Sequence, residues 1–113
     1  MGKHKGLYNY NSDESGALAL GQLGFEEVTG TGGNIGLSGD KSGDNVFVAI
    51  KAVMASAAAT TTTEIKITAQ CLHGDDLGDT FLVHGDIIWG CFNYVNIEAN
   101  GSSLMKLLVY KGK

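Results

Sequence analysis

The chain of 113 residues contains neither arginine nor proline, has only two cysteines, and has no long apolar run. Without arginine it lacks the planar guanidinium group that recognises phosphate and guanine through paired hydrogen bonds, and its net charge is −4. We therefore expect no nucleic-acid partner. A transmembrane helix needs about 20 consecutive apolar residues, so we expect no membrane partner either. At roughly 100–200 residues per domain, the length predicts a single domain.

The two cysteines, Cys71 and Cys91, do not form a Cys-x-x-Cys motif. In a chain that is 43% hydrophobic, isolated cysteines are typically small buried apolar side chains. The first residues also lack the apolar stretch of about 7–15 residues that marks a secretory signal. We therefore expect synthesis in a reducing cytoplasm, where disulfides rarely form.

Glycine is abundant, with 17 residues, where the usual share is about 7% of a chain. Several glycines lie between residues 30 and 43, in a stretch that superficially resembles a phosphate-binding loop. The dinucleotide pattern G-x-G-x-x-G fails from Gly30, because Ile35 stands where the third glycine belongs, and no G-K-[ST] follows. We interpret these glycines as turn residues with positive φ, and we expect no cofactor.

Composition divides the chain into two parts. Residues 1–16 are polar apart from Leu7, Tyr8 and Tyr10, and this segment has too little apolar surface to form a core. We predict an extended N-terminal arm over 1–16 and a single β domain over 17–113. The three apolar side chains of the arm either dock on a neighbouring molecule or pack on the domain itself, and the composition leaves both interpretations open.

Apolar and polar residues alternate in several segments with the period of two that is typical of β-strands. The clearest case is Glu64–Cys71. Its inward side chains are predicted to be Ile65, Ile67, Ala69 and Cys71. An irregular first strand is predicted within 17–28, and further strands at 46–54, 80–84, 87–97 and 104–110. These segments predict an all-β fold, a small antiparallel β-sandwich or barrel of six to eight strands.

Local expectations accompany these strands. In 46–54, one face is predicted to carry Val46, Val48, Ile50, Ala52 and Met54, and the other Phe47, Lys51 and Val53. Residues 57–63 are interpreted as a hairpin connection or an extension of that strand, and 73–79 as a polar loop. Asn100-Gly101 predicts a type I′ hairpin joining the last two strands, because both central residues of that turn need positive φ.

The last hairpin is apolar on both faces, and a single sheet would leave one of those faces in water. We therefore predict a homo-oligomer in which other protein covers the second face. Trp89, Phe92 and Tyr94 are interpreted as core or interface residues, with a carbohydrate-binding platform as the alternative. The candidate partner-interface residues are Leu7, Tyr8, Tyr10, Trp89, Leu107 and Val109.

The side chains that suit catalysis or metal binding gather between residues 71 and 86. Cys71, His73, His84 and several aspartates would have to converge from a loop to bind zinc, and the D-x-[DN]-x-[DN]-G pattern of a calcium loop is absent. Cys71 and His73 share a strand face at about 6.5–7 Å, beyond hydrogen-bond reach. No G-x-S-x-G motif is present. We expect neither a metal site nor enzyme activity.

The C-terminal part of the chain carries a spaced pattern. Gly85, Ile88, Gly90, Phe92, Val95 and Ile97 fit G-x-x-I-x-G-x-[FW]-x-x-[IV]-x-[IL], and Tyr110-Lys111-Gly112 fits a final Y-x-G. This pattern resembles the endings of small structural proteins of tailed bacteriophages, particularly head decoration (cement) proteins. The match spans residues 79–97 and 107–112, and Trp89 and Cys91 depart from it.

The resemblance implies a virion protein that is made in the host cytoplasm and assembles, as a trimer or similar ring, on the capsid exterior. There it would clamp neighbouring copies of the major capsid protein. Two alternatives stay open: a tail-fibre, receptor-binding or glycan-binding β module, and a neck or tail adaptor of the same virion. A binding module predicts aromatic and polar groups that converge in a pocket, whereas a cement protein predicts them in an interface.

Overall fold

The computed structural model describes residues 24–112. The predicted arm over 1–16, with Leu7, Tyr8 and Tyr10, lies outside the described residues, as does the first part of the predicted first strand. Within the described range the chain forms seven strands and one 3₁₀ turn at Gly101–Ser103. The strands are β1 Phe25–Thr29, β2 Asn34–Gly36, β3 Phe47–Met54, β4 Ile65–Cys71, β5 Leu77–Leu82, β6 Ile87–Ala99 and β7 Met105–Lys111.

The described strands pair antiparallel in one sheet with the order β1-β7-β3-β6-β4-β5, and β2 pairs with β6 outside this path. β6 is the longest strand, at 13 residues. It pairs with β4 along one edge, and with β3 followed by β2 along the other. Because β1 and β2 are consecutive but pair with β7 and β6 respectively, the sheet must curve over its core. The all-β prediction and the predicted strand number are confirmed.

One face of this curved sheet encloses the hydrophobic core. In β4, Ile65, Ile67 and Ala69 are buried on that face, so the alternation predicted for this strand is confirmed. Cys71 is half-buried at its end. The core residues are Val28, Phe47, Ile50, Ala52, Ile65, Ile67, Ala69, Leu82, Phe92, Val95, Ile97, Met105, Leu107 and Val109.

β3 departs from the simple alternation predicted for 46–54. Its register with both neighbours shifts between Phe47 and Ala49, which is the mark of a β-bulge. A shift of one residue moves side chains to the opposite face of a sheet. Phe47 therefore joins Ile50 in the core, and Val48 packs with Ala49 on the opposite face. The prediction that Val48, and not Phe47, shares a face with Ile50 is wrong.

Asn100-Gly101 does not form the predicted type I′ hairpin, because β3 lies between β6 and β7. Asn100 has a φ of −150°, and its side chain is buried. Its Nδ2 donates to the Met105 carbonyl oxygen at 2.6 Å, and its Oδ1 accepts from the Met105 backbone N–H at 3.1 Å. These two bonds fix the start of β7 on the far side of β3.

Two other connections also differ from expectation. β3 and β4 both pair with β6 and not with each other, so residues 57–63 neither close a hairpin nor extend β3. They form turns supported by hydroxyl groups, as at Thr63, whose Oγ1 accepts from the Thr60 backbone N–H at 2.9 Å. The predicted loop at 73–79 ends early, because β5 already begins at Leu77.

Candidate interaction face

Four neighbouring strands, β1, β7, β3 and β6, have a second face that points away from the core. Residues directly opposite each other on antiparallel strands lie on the same face. The registers therefore arrange these side chains in cross-strand rows. In the order β1, β7, β3, β6, the first row is Phe25, Tyr110, Ala49 and Trp89, and the second row is Glu27, Leu108, Lys51 and Ile87. We call these two rows the outer face.

The first row is apolar or aromatic on all four strands. At its centre Tyr110 and Ala49 are buried, whereas at its ends Phe25 is 48% and Trp89 is 53% exposed. The rings of Phe25 and Tyr110 meet edge to face, with 5.8 Å between their centroids. In the second row Ile87 is 37% exposed. The outer face therefore leaves large apolar side chains in water around a closely packed centre.

The centre of the outer face is an apolar cluster of its own. Val48, Ala49 and Tyr110 pack together, with Leu108 against them, and this cluster is separate from the core. Antiparallel sheets with one wet face normally show polar residues on that face. β3 and β7 are instead apolar on both faces at the centre of the sheet.

Lys51 stands in the second row between Leu108 and Ile87. Its ammonium group makes no ion pair or hydrogen bond with another residue of the described range, unlike the other described lysines. Those others, Lys41, Lys66, Lys106 and Lys111, are each paired with a carboxylate within 4 Å. In the same row, Glu27 accepts a hydrogen bond from Lys106 through its Oε1 at 2.8 Å. The outer face thus carries an unpaired cation within an apolar surface.

The structure separates the residues that were predicted to contact a partner. Trp89 lies on the outer face and is accessible. Leu107 and Val109 are 0% exposed and belong to the core, so their assignment to an interface is wrong. The register places Leu107 opposite Val28, on the inner face. Leu7, Tyr8 and Tyr10 lie outside the described residues.

Sequence reasoning missed most of the outer face. Phe25, Tyr110, Ile87 and Lys51 were not proposed as contact residues, although alternation in β7 already separates Leu107 and Val109 from Leu108 and Tyr110. What the alternation does not supply is which of the two sets faces the core. That choice depends on which strands lie beside β7, and the misassigned hairpin at Asn100-Gly101 removed this information.

Several of the polar side chains between residues 71 and 86 bind backbone N–H groups. Asp76 Oδ1 accepts from the Cys71 backbone N–H at 3.0 Å, and Lys41 pairs with Asp76 at 3.8 Å and donates to the Cys71 carbonyl oxygen. Burial raises the pKa of the Cys71 thiol above its ordinary value of 9.0, and the Asp76 carboxylate raises it further. A raised pKa keeps the thiol protonated and disfavours it as a nucleophile.

Two further candidates in this region, His84 and Asp86, have similar roles. His84 Nδ1 accepts from the Met54 backbone N–H at 3.1 Å, and Asp86 Oδ2 accepts from the Val83 backbone N–H at 3.0 Å. Within the described residues, no group of three or more histidine, cysteine, aspartate or glutamate side chains is placed to hold a metal ion. These side chains therefore stabilise turns and strand ends.

The three aromatic residues of the predicted strand 87–97 do not form one platform. Phe92 is a core residue and Tyr94 is half-buried, whereas Trp89 lies on the outer face. A flat carbohydrate-binding surface needs rings that share a face, and Trp89 and Phe92 lie on opposite faces of the sheet. The aromatic neighbour of Trp89 along its own row is Tyr110, across the small residue Ala49.

A cleft of about 310 Å³ lies beside β1 and the start of β3. Its lining residues are Glu26, Ile35, Asp44, Asn45, Val46, Phe47 and Lys111. Glu26 and Lys111 are ion-paired at 3.0 Å, and Asn45 donates to Asp40 at 3.2 Å. Hydrogen bonds from Ser42 and then Asn45 lower the pKa of Asp40. Of the charged residues that line the cleft, Glu26 and Lys111 are thus engaged with each other.

No helix of the described residues is long and apolar enough to span a membrane. Comparison of the chain with known protein families, curated proteins and solved structures gave no match.

Proposed function

We propose that this chain is a structural protein of a virion, a capsid decoration (cement) protein that stabilises a phage head by bridging major capsid proteins. The outer face carries the proposal. Large contiguous apolar patches are rare on proteins that remain single in solution, and they mark surfaces covered by a partner. Phe25, Trp89 and Ile87 expose apolar side chains around an apolar centre that is itself buried.

The size of this surface suits an assembly of many copies. Phe and Trp carry roughly 150–250 Å² of side-chain surface each, so covering the exposed halves of Phe25 and Trp89 removes roughly 100 Å² apiece from water. At about 25 cal/mol per Å², these two residues contribute about 5 kcal/mol before the costs of association. One contact of this kind is weak. Repetition over a symmetrical shell makes the total strong through avidity.

The residues that carry the resemblance to cement proteins build the sheet. Phe92, Val95 and Ile97 are core residues of β6, a side chain at Gly90 would meet the Phe92 ring, and Gly85 has a φ of +94°. The shared pattern thus describes a scaffold. Trp89, which departs from the pattern, is the residue of β6 that presents the most exposed aromatic ring to a partner.

The polar side chains support a structural role over a catalytic one. In the described part of the chain, the candidate nucleophile Cys71 has a raised pKa, and His84 and Asp86 are bound to backbone N–H groups. His73 is exposed in the loop before β5. An enzyme of the 71–86 region would need a base within about 3.2 Å of its nucleophile, and among the described residues no hydrogen bond joins the Cys71 thiol to a histidine or a carboxylate.

The number of copies per particle tests the proposal. Virions produced by the genome that encodes this chain are purified, and the chain is quantified by mass spectrometry against the major capsid protein. We expect a copy number comparable with that of the major capsid protein, and electron microscopy that places the chain on the outside of the head. A single ring at one vertex would indicate a neck or tail adaptor, and a fibre location would indicate a receptor-binding module. Either would contradict the cement function, as would absence from the particle.

A matched pair of variants tests the surface itself. Trp89→Ala removes the largest exposed ring of the outer face, and we expect particles that carry it to lose the chain or to release DNA at lower temperature. His73→Ala changes an exposed side chain away from that face, and we expect no change in the heat stability of the particle. Equal heat stability for wild-type, Trp89→Ala and His73→Ala particles would contradict a role of the outer face in binding.

A further inference from the structure

We infer that the outer face is covered by the same face of a second copy, related to the first by a two-fold axis that runs along β7. The inference rests on the proposed function, in which protein covers this face, and it names a second copy as the protein that covers it while the chain is free of the capsid. Its basis is the composition of the two rows on either side of β7. Tyr110 has Ala49 on one side and Phe25 on the other, and Leu108 has Lys51 and Glu27 in the same positions.

A two-fold axis along β7 keeps each row opposite itself and exchanges β3 of one copy with β1 of the other. Isologous interfaces need a surface that complements itself under this exchange. In the first row the exchange places the half-exposed Phe25 ring above the partner's Ala49 position, which the partner's own side chains already close over, since Ala49 is 0% and Tyr110 is 8% exposed. The first row therefore offers a partner the exposed rims of Phe25 and Trp89.

The second row matches in charge. The same exchange brings Lys51 over the partner's Glu27, and Leu108 over its own counterpart. Lys51 has no partner within the described residues. Glu27 uses Oε1 for Lys106, and its Oε2 is left for a second ammonium group. Symmetry makes this contact twice, and each time it pairs a lysine that the single chain leaves unpaired.

Two neighbouring groups complete the interface. Trp89 lies on β6, one strand beyond β3, so its ring closes over the outer edge of the partner's Phe25 at the rim. On the next row, Lys106 stands on β7 opposite Val53 and Thr29. The bond from Lys106 to Glu27 draws this ammonium group toward β1 and away from its counterpart at the axis. The polar third row marks the end of the apolar surface.

The dimensions fit a pair of packed sheets. Four strands at about 4.8 Å spacing, over the length of the 8-residue β3 at about 3.3 Å per residue, cover roughly 19 by 26 Å. This footprint of roughly 500 Å², which includes the length of β3 beyond the two rows, is smaller than the ~800 Å² per partner of a standard interface. Two packed sheets lie about 10 Å apart, and an axis that runs along β7 keeps the two copies of β7 parallel.

Solution mass and the fluorescence of Trp89, the chain's single tryptophan, test the inference together. The full chain is followed by light scattering and by acrylamide quenching across a concentration series. We expect the mass of two copies, and we expect Trp89 emission to shift to shorter wavelength and its quenching to fall as dimer forms. A mass of three copies, or a dimer whose Trp89 stays fully quenched, would overturn the two-fold arrangement.

Charge reversal tests the predicted contact. Lys51→Glu places two carboxylates face to face, Glu27→Lys places two ammonium groups face to face, and we expect each to weaken dimerisation at least about tenfold. An equimolar mixture of the two variants restores both contacts, so we expect it to form a mixed dimer of wild-type affinity. Lys66→Glu is the matched control, on β4 outside the outer face, and we expect wild-type dimerisation. Circular dichroism checks that each variant is folded.

If something other than a second copy covers the outer face, these experiments give different results. A monomer whose Trp89 is protected from acrylamide would show that residues 1–23 of the same chain cover the face, which overturns the inference. A monomer with accessible Trp89 that still binds capsids would also overturn it, while the proposed function stands. A dimer with the charge-reversal behaviour described above that is absent from virions would support the inference and contradict the proposed function.

Discussion

β4 and β7 are both strands of 7 residues in one sheet, yet their second faces differ. Each turns alternate side chains into the core, Ile65 and Ile67 from β4, and Leu107 and Val109 from β7. Away from the core, β4 presents polar residues such as Thr68, as antiparallel strands with one wet face do. β7 presents Leu108 and Tyr110 instead. The sheet does not need this second apolar set for its own core, and we propose that the set serves a contact outside it.

The largest expected effect concerns the core-facing side chains of β4 and β7. Leu107→Ala and Ile67→Ala each remove a fully buried side chain, and we expect each to lower the free energy of unfolding by about 2–5 kcal/mol. Thr68→Ala, on the wet face of β4, is the control, with an expected loss below about 1 kcal/mol. Chemical denaturation measures all three. A loss for Leu107→Ala as small as that for Thr68→Ala would contradict its place in the core.

The Asn100 side chain fixes the start of β7, the strand whose second face is apolar. Asn100→Ala leaves both backbone groups of Met105 without their partner, so we expect a loss of roughly 2–4 kcal/mol in unfolding free energy. Asn34→Ala is the matched control, because the Asn34 amide is exposed and makes one bond, to the Gly32 carbonyl oxygen. We expect a loss below about 1 kcal/mol there. Equal losses in thermal and chemical unfolding would show that the buried amide is not what anchors β7.

A substitution on the outer face should weaken self-association without lowering the free energy of unfolding. Ile87→Thr keeps a β-branched residue suited to a strand, and we expect the unfolding free energy of the dilute chain to change by no more than about 0.5 kcal/mol. Because the apolar rim is reduced, we expect weaker self-association in sedimentation velocity. Thr68→Val, which exchanges a polar for an apolar β-branched side chain on β4, should leave association unchanged. If Ile87→Thr and wild type sediment alike at every concentration, the rim does not contribute to the contact.

The smallest effect concerns the thiol of Cys71, which is half-buried at the end of β4. Since burial and then Asp76 raise the pKa of Cys71, we expect it to react with iodoacetamide more slowly than free cysteine at pH 8, and its rate to keep rising above pH 9.0. Asp76→Asn removes the second cause and should speed the reaction modestly. Mass spectrometry of the labelled peptide measures the rate. A rate equal to that of free cysteine, unchanged in Asp76→Asn, would contradict the raised pKa.

The sequence predicts what local alternation determines. Ile65, Ile67 and Ala69 face inward as the period of two in β4 requires, and the all-β class follows from several such segments. The bulge at Val48 could not be read in the same way, because one inserted residue reverses the faces and leaves no compositional mark. Within β3, the alternation is correct only from Ile50 onward.

The site was harder to predict, because it depends on contacts distant in sequence. Asn100-Gly101 has the composition of a tight hairpin, but the buried Asn100 amide binds Met105 and moves β7 to the far side of β3. The position of β7 beside β3 decides that Leu107 faces the core and that Tyr110 joins Ala49 on the outer face. Trp89 was found because a large ring in an apolar strand is conspicuous without any knowledge of the topology.

Acrylamide quenching of Trp89 tests most directly whether protein covers the outer face. The measurement compares the dilute chain, the concentrated chain and, where it is incorporated, the purified particle. We expect strong quenching in the dilute chain, where the ring is 53% exposed, and marked protection in the assembled states. Equal quenching under all conditions would show that the outer face stays in water, and that no partner, whether a second copy or a capsid protein, binds there.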